Sequence, residues 1–165
     1  MSHDWFAPSF IPLLITPDLR NVGTSRLTRN SRLLASDPFS MKRIIATDAA
    51  PKAVGPYSQA VALGDLLFCA GQIPLDPVTG EIVGADVATQ AERVCENVKA
   101  VLAANDMTFS HVLKATVFLT TMDDFAAMNA VYARYFTEPF PARSTVAVAG
   151  LPRGAKVEIE VTAGR

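Results

Sequence analysis

Chemistry that relies on several cysteines or histidines has little to draw on in this 165-residue chain, which holds two of each. Cys69 and Cys95 lack CxxC spacing, and His3 and His111 stand far apart in sequence, so neither a metal site nor a Cys–His nucleophile is written here. No metal and no cofactor are expected. Cys69 sits in the apolar run 66–70, and Cys95 falls at helical spacing among Ala91, Val94 and Val98. Both read as small buried hydrophobes of a reducing compartment, with the cytoplasm as the expected location. A charge excess of either sign is missing too. The formal net charge is -1, the sequence pI is about 6.1, and Lys and Arg are scattered, so nucleic acid is not an expected partner.

Residues 1–40 lack a sustained period of either 3.6 or 2.0, because Pro8, Pro12, Pro17 and Pro38 break each short apolar run. No membrane-spanning helix fits there, and no membrane partner is expected. Arg20, Arg26, Arg29 and Arg32 among serines and threonines suit a transit segment, but Asp4, Asp18, Asp37 and the prolines oppose an amphipathic targeting helix. We read residues 1–40 as a disordered or misassigned N-terminal extension, with Met41 as the expected start of one domain over residues 41–165.

Within that domain the spacing predicts strands over 42–46, 58–63 and 66–70, the last two joined by a tight turn at Gly64-Asp65. Gly71 then opens a turn-rich loop. It stands at the exit of a buried strand, where backbone N–H groups can meet a ligand, although turning alone also accounts for a glycine there. Asp86 is an N-cap for a helix to about Ala104, with Val87, Ala91, Val94, Val98, Val101 and Leu102 on one stripe. Residues 111–120 alternate an apolar side with a mixed side of Lys114, Thr116 and Phe118, which suits a face against a partner subunit. Asp123 or Asp124 caps a second helix, whose Phe125, Met128, Tyr132 and Tyr135 recur every three or four residues as a core stripe. The order β-β-β-α-β-α-β-β gives an α+β domain with two helices on one face of a mixed sheet.

The C-terminal stretch carries the densest charge pattern. Val146 and Val148 share one side of a strand, as do Val157, Ile159 and Val161 of the next, leaving Arg143, Thr145, Glu158 and Glu160 on the opposite sides. If residues 150–153 form a hairpin loop, Thr145 lies opposite Glu158 and Arg143 opposite Glu160, on one surface. An arginine fork beside a glutamate suits hydrolysis of a small anion, with the one holding a carboxylate and the other a water. A cross-strand surface ion pair has the same pattern and contributes little stability.

Gly55-Pro56-Tyr57, Ala70-Gly71-Gln72-Ile73-Pro74, Thr116-Val117-Phe118-Leu119, Pro141-Ala142-Arg143-Ser144-Thr145 and Val157-Glu158-Ile159-Glu160 follow one another in this order. Together they resemble the RidA (YjgF-like) family of imine and enamine deaminases, over essentially all of residues 41–165. The resemblance implies a chorismate-mutase-like fold, assembled as a homotrimeric barrel with clefts between subunits. It implies hydrolysis of short 2-imino or 2-enamino acids, such as 2-aminoacrylate and 2-iminopropanoate, to 2-keto acids and ammonia. By matching position, Arg143 binds the substrate carboxylate, Glu158 positions the attacking water and Tyr57 orients the pocket. Phe125 and Asn129 complete its wall, and Gly71 and Thr145 offer main-chain contacts. An iminium carbon is already electrophilic, so such a site needs neither metal nor covalent nucleophile.

This chain departs from the family pattern at Ala70, where many members carry Ser, and at Thr145, where others carry Cys. The segment 135–140 is also short. The Ala70 change bears on substrate range and rate, and it keeps open a non-catalytic trimeric binder or sensor of small carboxylates. A ribonuclease or chaperone-like activity is a third reading, and the near-neutral charge weighs against the ribonuclease.

Overall fold

Glycine at the first loop position fixes the first hairpin. Gly64 adopts φ +56°, which a side chain would resist, so strand β2 (Ala60–Leu63) turns back at once into β3 (Leu66–Cys69), with Leu63 opposite Leu66. This computed structural model describes residues 41–165, and the expected N-terminal extension lies outside the described residues. Strand β1 (Arg43–Ile45) flanks β2. Helix α1 (Val87–Ala103) starts as its sequence predicts, with the Asp86 carboxylate accepting from the Thr89 N–H at 2.9 Å. Strand β4 (Val112–Leu119), helix α2 (Phe125–Tyr135), β5 (Ala142–Ala147) and β6 (Val157–Gly164) complete the chain. Asp124 holds the N-cap position of α2, but its side chain caps nothing. The capping oxygen belongs to Thr121, which accepts from Asp123 N–H at 3.2 Å at the head of a short 3-10 helix leading into α2.

The six strands form one mixed sheet in the order β1-β2-β3-β6-β4-β5, covered on one face by the two helices. The α1 stripe is buried as expected, from Val87 through Leu102, against Val157, Ile159 and Val161 of β6 and Leu67 of β3. Cys69 and Cys95 lie in the same core, and burial pushes both thiols up to about 12, so they stay protonated and unreactive.

The expected hairpin between the last two strands does not form. Strand β5 pairs in parallel with β4, reached through α2 as a β-α-β crossover, while β6 inserts between β3 and β4. Thr145 therefore lies beside Val117 instead of Glu158, and Arg143 beside Ala115 instead of Glu160. Neighbouring residues in a sheet point to the same side, and Ala115 and Val117 are fully buried beneath the helices. Arg143 and Thr145 thus occupy the helix-covered face. Glu158 pairs with Phe118 and Glu160 with Thr116, on the open face.

That open face is unusually apolar for a surface. Ile44, Leu63, Leu66, Phe68 and Val146 are each 40% exposed or more, around half-buried Thr116 and Phe118. Lys114 donates to Ser144 Oγ at 2.7 Å on the same side. The mixed side expected at 114, 116 and 118 is therefore real, and it belongs to a larger patch of the kind that marks an association surface.

Candidate active site

Two separate hollows carry the charged residues singled out by the sequence. The first, about 470 Å³, is lined by Tyr57, Ala70, Gly71, Ile73 and Glu158, with the cationic Lys52 and Arg153 at its border. Its floor is built by backbone pairing. Gln72 and Ile159 exchange N–H to carbonyl hydrogen bonds of 2.9 and 3.1 Å, which bring the chain after β3 alongside β6. Gly71 then lies directly under the Glu158 carboxylate, so close that an added Cβ would fall 1.9 Å from Glu158 Oε1. Close approach explains this glycine.

Glu158 is half-buried, and its carboxyl is held above the ordinary glutamate range, first by that burial and then by the like charge of Glu160. Such a group takes up a proton more readily than an exposed glutamate, a property that suits a general base. Tyr57 is about half exposed, and its hydroxyl accepts from the Val54 N–H at 3.3 Å, which folds the ring back onto its own loop.

That loop is held by a residue that no sequence motif singles out. Gln59 is buried on β2's approach; its Oε1 accepts from Thr47 N–H at 2.6 Å, and its Nε2 donates to the carbonyls of Thr47, Ala50 and Pro51 at 3.0, 3.2 and 2.8 Å. Its sequence signal is a polar side chain in an otherwise apolar strand, which must find partners when buried.

The second hollow, about 320 Å³, is lined by Asn129, Tyr132, Ala133, Phe140, Pro141 and Arg143. Arg143 projects from β5 toward α2, where its guanidinium carbon lies 4.5 Å from the Tyr132 ring centre and 5.9 Å from that of Phe125. Thr145 follows two residues along the same side, its hydroxyl oxygen buried without a partner among the described residues. Of the residues expected in one site, the fold therefore gathers Tyr57, Ala70, Gly71 and Glu158 around one hollow and Arg143 and Asn129 around another, with Phe125 near the Arg143 guanidinium and Thr145 two residues along β5, neither of them lining the hollow. Arg143 and Glu158 sit on opposite faces of the sheet, on strands separated by β4 and displaced along it from Ala115 to Phe118. One chain does not bring them together.

Among the described residues no cluster of His, Cys, Asp and Glu is arranged to hold a metal, and no helix is long and apolar enough to cross a membrane.

The family described as Endoribonuclease L-PSP matches residues 47–164. The chain belongs to this family, the RidA (YjgF-like) family. Protein DfrA of Myxococcus xanthus is 59% identical over 124 residues, which are 74% of this chain and 95% of that protein. An Escherichia coli protein named 2-iminobutanoate/2-iminopropanoate deaminase is 49% identical over 128 residues, 76% of this chain and 99% of that one. The crystal structure of Escherichia coli TdcF with bound serine superposes with a TM-score of 0.71 at 48% identity, covering 74% of this chain and 98% of TdcF. The α+β fold with two helices on a mixed sheet is thus the RidA fold expected from the sequence.

Proposed function

We propose that this RidA-family protein hydrolyses short 2-imino acids, and their 2-enamino tautomers, to 2-keto acids and ammonia, at a site built from two copies of the chain. The observation that carries the reading is the separation of Arg143 from Glu158 on opposite sheet faces, each beside its own hollow. This arrangement argues against a surface ion pair within one chain. It leaves each residue free to meet its counterpart from a neighbour. The relative named as a deaminase supports the reaction, and the serine bound to TdcF supports a small amino- or imino-carboxylate as ligand. In this reading the apolar open face is the association surface of a homotrimer, and the edge position of β5 lets one copy's Arg143 hollow meet another's Glu158 hollow.

In such a site the Arg143 fork receives the substrate carboxylate in two parallel N–H···O bonds. A water beside Glu158 gives its proton to the carboxylate as its oxygen attacks C2, and the C=N π electrons pass to nitrogen. The carbinolamine then collapses: nitrogen takes the proton back from Glu158, the C–N bond breaks and ammonia leaves, and the hydroxyl gives its own proton to the freed Glu158 carboxylate as the new C=O forms. Proximity and orientation supply most of the acceleration, since the iminium carbon needs no further activation. The near-neutral charge, with Lys and Arg scattered along the chain, weighs against RNA as the substrate.

Complementation between two inactive variants tests the shared site. Arg143→Ala and Glu158→Gln should each be inactive alone. Coexpressed in equal amounts, they should recover about a quarter of parental 2-iminopropanoate hydrolysis, because a site is intact when one chain supplies Arg143 and its neighbour Glu158. Light scattering should give three chains per particle. Mixed assemblies with no activity above the separate variants would defeat the two-copy site, and keto-acid binding by the parent without turnover would make the protein a carboxylate binder.

Gly71 provides a second test within the same reading. Gly71→Ala should fold and assemble, since the atoms it meets belong to a side chain that can swing away. The displaced Glu158 carboxylate should cost hydrolysis about a hundredfold, in line with loss of a general base. Parental turnover by folded Gly71→Ala would mean that the carboxylate position is immaterial.

A further inference from the structure

We propose that Tyr132 is a positioning residue for Arg143, its ring forming the bed that sets the plane of the guanidinium fork. This rests on the reading of Arg143 as the carboxylate anchor. The ring lies 4.5 Å from the guanidinium carbon and is itself stacked on Phe136, with centroids 3.9 Å apart and planes 6° from parallel. Phe136 in turn meets Phe109 edge-on, at 4.6 Å and 69°. Tyr132 and Phe136 are 5% and 1% exposed, so the column under Arg143 is rooted in the core and cannot tilt without disturbing it.

A guanidinium lying on a ring face keeps its N–H edge free, and that edge is what a carboxylate engages in bidentate fashion. The long arginine side chain would otherwise sample many rotamers, and holding it in one reduces the ordering cost on ligand binding. Phe125, two turns earlier on α2, adds a second aromatic edge at 5.9 Å. The Tyr132 hydroxyl contributes nothing visible to this arrangement. Its oxygen is buried with no hydrogen-bond partner among the described residues. The ring, not the hydroxyl, is therefore the functional part.

The experiment compares Tyr132→Phe with Tyr132→Leu and Tyr132→Met, reading 2-oxobutanoate affinity by calorimetry and, with 2-iminopropanoate as substrate, both kcat and KM. Tyr132→Phe should bind as the parent does. The two ring-free variants should bind about tenfold more weakly and raise KM more than they lower kcat. In an Arg143→Lys background, where no planar fork remains to be set, Tyr132→Leu should cost less than about threefold. Parental affinity in a folded ring-free variant, equal losses in the Phe and Leu variants, or an undiminished loss in the Arg143→Lys background would each overturn the inference. Should neither ring-free variant fold, the parent itself decides: NMR should find the Arg143 Nε–H resonance shifted upfield by the Tyr132 ring, and an unshifted resonance would overturn the stacking. If Arg143→Ala binds 2-oxobutanoate like the parent, the anchor reading falls. Loss in Arg143→Ala alongside full affinity in Tyr132→Leu removes only the role of Tyr132.

Discussion

Arg143→Ala should sharply lower kcat/KM for imine hydrolysis and weaken 2-keto-acid binding in parallel, while leaving the melting temperature nearly unchanged. The residue lies at an exposed position on the edge strand β5, so its removal opens no core cavity. On the proposed reading it removes a charge-assisted fork used equally by substrate, transition state and product. Truncating one partner of such a pair costs about 2–5 kcal/mol, which corresponds to at least roughly thirtyfold in affinity and up to several thousandfold. The signature is specific. Loss of an anchor common to ground and transition states raises KM and the keto-acid Kd in parallel, whereas an interaction confined to the transition state would lower kcat alone. Calorimetry with 2-oxobutanoate and initial rates with 2-iminopropanoate distinguish the two. An Arg143→Ala variant that binds the keto acid normally but fails to turn over would reassign Arg143 from anchor to catalyst.

Which parts of this site are legible in the sequence follows from how local each signal is. The Gly64-Asp65 hairpin and the Asp86 cap are decided by a few adjacent residues, and both appear where expected. The α1 stripe is equally local, since 3.6-residue periodicity names the buried side as soon as one side is apolar. Strand β5 shows where that logic ends. A period-two pattern says that the two sides of a strand differ, but it does not say which side the helices cover. Val146 and Val148 read as the core side because they are apolar. The structure leaves Val146 largely exposed on the open face and turns Arg143 and Thr145 toward α2.

Pairing escapes a local reading for a related reason. Two strands separated by a short loop suggest a hairpin, and the choice of β4 as the common neighbour of both depends on the α2 crossover and on β3, which are distant in sequence. Tyr132 is legible as a core aromatic but not as the bed of Arg143, because that role depends on the parallel register of β5 against β4. The roles proposed for Arg143, Glu158 and Tyr57 come from the family resemblance. No periodicity could have placed them in two hollows.

Glu158→Gln should separate chemistry from binding and reveal a stability cost carried by the native residue. The amide keeps the size of the side chain but cannot accept a proton from water, so turnover should fall by about 10² to 10⁴, with 2-oxobutanoate affinity within about threefold of the parent. The pH profile of the parent carries the same information. Burial and Glu160 hold the Glu158 carboxyl above the ordinary glutamate range, so the acid limb of kcat/KM should lie above that range. Glu160→Gln removes the second of these causes and should move the limb to lower pH, leaving the effect of burial in place. The sign of the stability effect follows from the same shift. A carboxyl whose pKa is higher folded than unfolded is ionised at a cost in the native state, so its contribution to stability falls as pH rises from the unfolded pKa to the folded one. Above that window the cost is fully present, and below it Glu158 is protonated and resembles glutamine. Glu158→Gln should therefore melt higher than the parent at neutral pH and at the same temperature in acid. A variant that hydrolyses 2-iminopropanoate at the parental rate would show that Glu158 takes no part in the reaction, and a melting temperature equal to the parent's at both pH values would show that its carboxyl is not strained in the folded protein.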